Sequence, residues 1–247
     1  MSIEQEVQQV IESGITPIEM IYQPVHIFDS TSIVQRTVLA INSLDVGRLE
    51  FDQYRFVAAR SKYGELMLRC QVTKLLRAIS KAVDENTLDN KIVCFTIPVY
   101  ARNLRDGVLP EILYEGFTNF PKAQPSRICV EISADILYED IDWLADAVNK
   151  LREIGVKVAI SEVGDAYCPV FRLAGVKFEY AFLDPHAIKL ASTEQADETV
   201  KWLVEYLHAR GTRVFAPNLE GERERATMLA MGCDGYTEPV AQAEEVV

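Results

Sequence analysis

The chain has 247 residues, of which 49% are apolar, and its formal net charge is −12. This size suits one large core, as in a (β/α)8 barrel of about 250 residues, or two small domains. The excess of carboxylates argues against nucleic-acid binding, which depends on Lys and Arg, but it allows one small dianionic nucleotide in a local pocket. We find neither a signal-peptide pattern nor an apolar run of about 18 residues, so we expect a soluble, cytoplasmic protein without a membrane segment.

The cysteines and histidines do not form a metal-binding pattern. The five cysteines are an odd number, are widely spaced and include no C-x-x-C pair. Three of them lie in apolar runs, which is typical of buried, reduced thiols rather than disulfides or a zinc site. The three histidines, His26, His186 and His208, are too far apart in sequence to show metal-ligand spacing.

The first residues predict a short helix that stands apart from the rest of the chain. Ser2 and Gln5 have the spacing of a capping box, and the apolar side chains of residues 2–12 share one helical face. We assign residues 1–18 to an N-terminal helical extension, which could pack on the base of the main domain or reach a partner. At the other end, residues 241–247 are expected to form a flexible tail.

Residues 19–240 alternate between apolar runs typical of strands and stretches with helical periodicity. The predicted strands are Glu19–Phe28, Ile33–Ile41, Lys91–Pro98, Arg127–Ser133, Val156–Val163, Phe178–Leu183 and Arg213–Ala216. The predicted helices are Asp52–Val83, Leu109–Phe120, a helix between its cap Asp140 and its stop Gly155, and Glu194–Ala209. The first two strands could form a hairpin, and Pro98 is expected to end the third. These seven strands alternate with helices, and this order predicts an α/β fold with a single (β/α)8 barrel, whose eighth strand is not located by an apolar run of its own.

The stretch Gly155–Asp184 points to the functional end of this barrel. Two apolar runs flank a turn at Gly164 and a short amphipathic segment, which is the pattern of a βαβ unit with buried parallel strands. Ser161 and Glu162 close the first run, and Asp184 follows the second. Because α/β folds place their chemistry at the carboxyl ends of strands, these polar residues are candidates for a functional site.

That stretch, GVKVAISEVGDAYCPVFRLAGVKFEYAFLD, resembles the central signature of EAL domains, the bacterial cyclic di-GMP phosphodiesterases. The positions shared with the signature are Gly155, Ala159, Gly164, Tyr167 and Asp184. Two other segments fit in order: Tyr22-Gln23-Pro24 resembles the family's opening Y-Q-P, and Met228–Asp234 resembles its closing L-x-x-L-G-C-D. The resemblance spans Glu19–Val240 and implies a TIM-like barrel of the EAL type, with the N-terminal helix as an addition.

The resemblance also implies which residues stand at the family's catalytic site, where oxygen ligands hold hard cations and a lysine assists. The positions matched to the ligands are Thr37, Pro98, Glu131, Ser161, Glu162 and Pro217, and the lysine is matched by Phe182. The two glutamates could hold Mg²⁺ or Mn²⁺ if residual activity exists. Alternatively, they are polar rim residues that meet helix N-termini or a cation such as Arg127. We expect no catalytic residue and no other cofactor.

Two residues are candidate contacts for the nucleotide. Gln23 lies in the Y-Q-P segment, and the family uses an aspartate at the position of Asp184 near its site. The alternative interpretations are an ordinary strand-end hydrogen bond for Gln23 and the start of a turn for Asp184. Because Ile41 replaces an arginine that would meet phosphate, we expect binding of cyclic di-GMP to be weakened.

Three functions follow from this resemblance. The first is a catalytically inactive EAL-like signalling protein that acts through contact with a protein partner. The second is a cyclic di-GMP receptor that binds without hydrolysis, and the third is a residual metal-dependent phosphodiesterase. The segment Gly164–Phe171 matches a family region that links the active site to dimer contacts. It is therefore a candidate homodimer surface through Tyr167, Val170 and Phe171, or alternatively a short covering helix.

Overall fold

The computed structural model describes residue 5 and residues 18–43, 47–60, 64–165, 168–191 and 197–239. The predicted helix at residues 2–12, apart from residue 5, and the predicted tail at residues 241–247 lie outside these ranges. No helix within the described ranges is both long enough and apolar enough to cross a lipid bilayer.

Among the described residues, eight strands close into the predicted barrel, and a ninth pairs with the carboxyl end of one of them. The strands are β1 (Ile18–Ile27), β2 (Ile33–Ser43), β3 (Gly47–Leu49), β4 (Ile92–Val99), β5 (Ile128–Ser133), β6 (Lys157–Val163), β7 (Tyr180–Leu183), β8 (Arg213–Ala216) and β9 (Gly235–Thr237). Their order around the barrel is β1-β9-β8-β7-β6-β5-β4-β2, closed by the pairing of β1 with β2. β1 is antiparallel to both neighbours, and the other barrel pairs are parallel. Seven strands therefore present their carboxyl ends at one mouth.

Several strands differ from the sequence-based expectation in detail. β1 and β2 form the expected hairpin, with His26 paired to Ile33 beside the turn. β3 and β9 were not expected from the sequence, because three residues are too few to show a period of two. Pro98 does not end β4, which continues to Val99 and places Pro98 opposite Glu131 in the ladder.

Helices cover the outside of the barrel. They are α1 (Phe51–Arg60), α2 (Gly64–Asp84), α3 (Ala101–Arg105), α4 (Val108–Asn119), α5 (Ile141–Ile154), α6 (Pro185–Ala191), α7 (Asp197–Ala209) and α8 (Glu222–Ala230). The single helix expected at Asp52–Val83 is thus two helices. They meet closely at Gly64, where a Cβ atom would lie 2.5 Å from the carbonyl oxygen of Ala58. Short 3-10 turns also occupy Pro125–Arg127, Ala134–Tyr138 and Val170–Gly175.

The alternation of side chains along the strands divides the core into two layers. On β5, Val130 and Ile132 point outward and join the large cluster that packs the helices onto the barrel. The inward cluster fills the barrel with Val25, Val34, Cys94, Cys129, Ala159, Tyr180, Phe182 and Phe215. Three aromatic rings therefore occupy the interior on the β7–β8 side.

Candidate functional site

Glu131 on β5 lies inside the barrel and is bound by an arginine on β2, which is separated from β5 by one strand, β4. The guanidinium of Arg36 on β2 grips both carboxylate oxygens, through Nη2 to Oε1 and through Nε to Oε2 at 3.1 Å. The hydroxyl of Thr96 on β4 donates a further hydrogen bond to Oε2 at 3.0 Å. Glu131 is only 4% exposed and Arg36 19%, so this charge-assisted bidentate pair is largely withdrawn from water.

Phe182 forms an aromatic floor under the guanidinium. The carbon at the centre of the Arg36 guanidinium lies 4.5 Å from the centre of the Phe182 ring, a cation–π distance. Phe182 in turn packs against Phe215, with ring centres 5.4 Å apart. At the position that the resemblance assigns to the family's lysine, the barrel thus has a buried ring with a cation from β2 above it.

Glu162 is held by a second arginine at the end of β6. The pairing of β6 with β7 shifts register between Ile160 and Val163, and Glu162 has a positive φ of 61°. Its carboxylate accepts hydrogen bonds from Arg55 Nη1 on α1 and from the hydroxyl of Ser133 at the end of β5. Both partners of this ion pair are partly exposed, at 24% for Arg55 and 32% for Glu162.

Arg55 reaches this position because its helix is anchored beside the barrel. The next residue toward the amino terminus, Tyr54, is almost fully buried, and its hydroxyl donates to the carbonyl oxygen of Leu39 on β2. Phe51 packs edge-on against Tyr54 and lies parallel to the Tyr100 ring. These contacts fix α1 so that Arg55 crosses from its own helix to the carboxyl end of β6.

The positions that were matched to metal ligands do not all face the barrel interior. Ser161 lies on β6 opposite Ser133, and Pro217 is buried just beyond β8. Thr37 lies on the outer face of β2, because its neighbour Arg36 is the residue that points inward. The Thr37 hydroxyl donates to the carbonyl oxygen of Thr96. The position on β2 that faces the interior carboxylate is therefore Arg36.

The two candidate nucleotide contacts take part in hydrogen bonds of the scaffold. Gln23 Nε2 donates to Asn218 Oδ1 at 3.1 Å, to the Thr237 hydroxyl at 3.2 Å and to the Glu238 carbonyl oxygen at 2.7 Å. Asp184 Oδ1 accepts the backbone N–H of His186 at 2.7 Å at the start of α6. Gln23 thus makes strand-end hydrogen bonds and Asp184 starts a turn, while a contact of either residue with a nucleotide stays a prediction.

Neither Arg36 nor Arg55 was expected at the site from the sequence. Arg127, which was suggested as a cation beside the two glutamates, instead donates to the carbonyl oxygen of Ile92 at 3.1 Å. One signal was present: Arg36 lies within the apolar strand IVQRTVLAI, and a charge in a buried strand requires a partner of opposite charge. The identity of that partner is a matter of tertiary structure, since Glu131 is 95 residues away.

The residues at this site do not fit a pair of divalent cations. Within the described ranges, no group of three or more His, Cys, Asp or Glu side chains is arranged to hold a metal ion. Both carboxylates already bind arginines. Burial also raises the pKa of the Cys94 and Cys129 thiols and of the Tyr180 hydroxyl inside the barrel, so these groups stay neutral and do not replace the lost anionic ligands.

Several solved structures with a similar fold are EAL domains or EAL enzymes by their descriptions. The c-di-GMP complex of the PaMucR phosphodiesterase is 15% identical with a TM-score of 0.84, over 96% of this chain and 95% of that chain. The FimX EAL domain from Pseudomonas aeruginosa bound to c-di-GMP is 15% identical with a TM-score of 0.82, over 98% and 96%. The EAL enzyme Bd1971, bound to cAMP and cyclic di-GMP, is 17% identical with a TM-score of 0.84, over 96% of this chain and 64% of that one. At these identities the likeness establishes the fold.

Sequence comparison gives the family. An uncharacterized protein of Azorhizobium caulinodans is 22% identical over 111 residues, which are 44% of this chain and 15% of that protein. The chain thus spans about two thirds of Bd1971 and a small part of the Azorhizobium protein. The model of the EAL domain family matches residues 4–237, so its match begins within the segment 1–18 that the sequence analysis set apart from the barrel. The chain belongs to the EAL domain family.

Proposed function

We propose that this EAL domain does not hydrolyse cyclic di-GMP and that it acts in signalling by contact with other proteins. One observation carries the proposal: both carboxylates at positions matched to family metal ligands, Glu131 and Glu162, are bound by the arginines Arg36 and Arg55.

The chemistry of phosphodiester hydrolysis supports this proposal. A divalent cation lowers the pKa of a bound water molecule and so generates a nucleophile at neutral pH. A guanidinium can neutralise a phosphate, but it has no open coordination position to hold and ionise water. Among the described residues, Arg36 occupies the Glu131 carboxylate, and Phe182, which cannot transfer a proton, stands at the position matched to the lysine.

Nucleotide binding without hydrolysis is the principal alternative, because two similar structures contain bound c-di-GMP. In this chain, Gln23 is committed to Asn218, Thr237 and Glu238, and Asp184 is committed to the start of α6. A nucleotide that used Gln23 Nε2 or Asp184 Oδ1 would compete with these bonds. This competition favours the protein-contact function over the receptor function.

The surface next to the site offers a contact region. Within the predicted dimer segment, Val170 packs against the core and Tyr167 lies outside the described residues. Phe171 is 85% exposed, which is unusual for a large apolar side chain. The neighbouring Arg172 donates to the carbonyl oxygen of Leu137 at 2.6 Å and so ties the turn to the 3-10 turn that follows β5. Phe171 is therefore presented to solvent on a fixed turn.

Turnover and binding assays test the proposal. We expect purified protein to leave cyclic di-GMP intact with Mg²⁺ or Mn²⁺, as followed by chromatography of the products. In calorimetry, we expect no binding at micromolar nucleotide. Micromolar binding without turnover would replace the protein-contact function with a receptor function.

Turnover that depends on metal would contradict the proposal, provided that it arises from this chain. The variant Glu131→Gln identifies the source, since it removes the carboxylate with little change in volume. Activity that survives unchanged in this variant would belong to a contaminating enzyme.

A further inference from the structure

We propose that Arg36 is the resident cation of this barrel, so that its guanidinium takes the place of a divalent ion against Glu131 and the interior is balanced without metal. This inference deepens the proposed function and rests on it, because it states why the site lacks a cation that can activate water. It is nevertheless a separate claim about which positive charge the folded chain uses.

The geometry of the Arg36–Glu131 pair leaves little for a metal ion to bind. One guanidinium edge engages both carboxylate oxygens, and the Thr96 hydroxyl occupies a further acceptor site on Oε2. A divalent ion that approached the same oxygens would come within a few ångströms of a fixed positive charge. Inside a protein, where screening is weak, that repulsion is strong.

A second contact holds Arg36 in this position. Its guanidinium carbon lies 4.5 Å from the centre of the Phe182 ring, and that ring packs against Phe215. Arginine does not lose its proton at accessible pH, so the positive charge is permanent. The apolar ring favours a weakly hydrated planar cation above it over a compact, strongly hydrated metal ion.

Arg55 repeats the arrangement at the rim with less burial. It pairs with Glu162 at the end of β6, where both side chains are partly exposed. The two arginines come from different elements, β2 and α1, and each covers one surviving carboxylate. Removing one partner destabilises a buried ion pair more than an exposed one, because it leaves the other charge buried without a partner, so the test concentrates on Arg36.

The first measurement uses the unmodified protein. We expect the electron paramagnetic resonance signal of free Mn²⁺ to be undiminished by stoichiometric protein, and the melting temperature to be unchanged by Mn²⁺ or by EDTA. Stoichiometric loss of the free Mn²⁺ signal, or a fall in melting temperature with EDTA, would overturn the inference.

The second measurement is a double-mutant cycle of melting temperatures. Arg36→Met and Glu131→Met each leave one buried charge without its partner, and we expect each to lower the melting temperature by about 10 °C. The double variant removes both charges, so it should recover most of that loss. Losses that simply add would contradict the pairing.

A matched control separates the buried pair from an ordinary surface pair. Arg105 pairs with Glu139, and the Arg105 side chain is about half exposed. Arg105→Met should change the melting temperature by no more than a few degrees. If a single variant does not fold, the Mn²⁺ and EDTA measurements on the unmodified protein still decide the inference.

These results are distinguishable from those that test the proposed function. Turnover without Mn²⁺ binding would refute the non-hydrolytic function and leave the resident-cation inference intact. Mn²⁺ binding without turnover would refute the inference and leave the non-hydrolytic function intact.

Discussion

Phe182 determines the chemical character of the barrel interior at the scale of a single residue. It is buried, packs on Phe215 and supports the Arg36 guanidinium. The family resemblance places a lysine here, so the exchange removes a charge from β7 while Arg36 brings one from β2. A charge-carrying side chain at position 182 would now face a cation instead of a phosphate or a metal ligand.

Restoring the lysine should therefore destabilise the protein. We expect Phe182→Lys to lower the free energy of unfolding by at least about 3 kcal/mol, because it buries a second positive charge beside Arg36 without a partner. Urea denaturation at neutral pH measures the difference.

The matched control is Phe182→Leu, which keeps the site apolar and removes part of the ring. It should cost about 1–2 kcal/mol as a partly relaxed cavity. Equal losses for Phe182→Lys and Phe182→Leu would mean that the lysine finds water or a carboxylate, and the interior would then be more polar than we describe.

At this scale, the sequence predicted the candidate positions better than their contacts. The family motifs identified Glu131 and Glu162 as matches to metal ligands and Phe182 as the match to the lysine. The match at Thr37 selected the outer face of β2, because a shift of one residue moves every side chain of a strand to the other face. The partners Arg36 and Arg55 were out of reach, since they meet their carboxylates across 95 and 107 residues of chain.

At the scale of elements, local chemistry made some boundaries predictable. Asp140 caps α5 by accepting the N–H of Trp143 at 2.8 Å, and Gly155 ends that helix with a φ of 95°. Both features follow from residue types that favour helix ends. β9 has no such local signal: it has three residues, and it exists because β8 and β1 pair with its two sides.

The closure between β9 and β1 leaves no room for a side chain at Gly235. A Cβ atom there would lie 2.2 Å from the carbonyl oxygen of His26 and 3.0 Å from the Cα of Ile27. Both are backbone atoms, so the strands would have to separate. We expect Gly235→Ala to destabilise the barrel by about 2 kcal/mol or more, measured as a fall of roughly 4–8 °C in melting temperature.

Gly221 provides the control for this substitution. It precedes α8 with extended backbone, and a Cβ atom would meet nothing within 4 Å. Gly221→Ala should therefore leave the melting temperature nearly unchanged or raise it slightly. A similar fall in both variants would show that the loss does not come from the β9–β1 closure.

At the scale of the whole molecule, the fold class could be predicted because many weak signals agree. A closed barrel of the EAL type was indicated by seven apolar runs, by the helices between them and by three family motifs in the expected order. The function is less accessible, because it depends on which groups meet at the mouth and on what the outer surface binds. Phe171 illustrates this: its segment was a candidate dimer surface in the sequence, but only the structure shows how far the ring projects.

We expect the intact protein to self-associate through Phe171 as the simplest form of the proposed protein contact. Each copy has a formal net charge of −12, so electrostatic repulsion should oppose association at low ionic strength. Added salt screens this repulsion and should therefore strengthen the association. Sedimentation velocity at tens of micromolar protein, in low and physiological salt, measures the dimer fraction.

The decisive comparison is between two exposed aromatic residues. Phe171→Ser should shift the protein to monomer while its circular dichroism and melting temperature stay unchanged, because the side chain makes little contact with its own chain. Tyr114→Ser replaces a ring on α4 that is 73% exposed, and it should leave the dimer fraction as it was. Equal behaviour of the two variants, or a monomer at every concentration before mutation, would contradict self-association through Phe171.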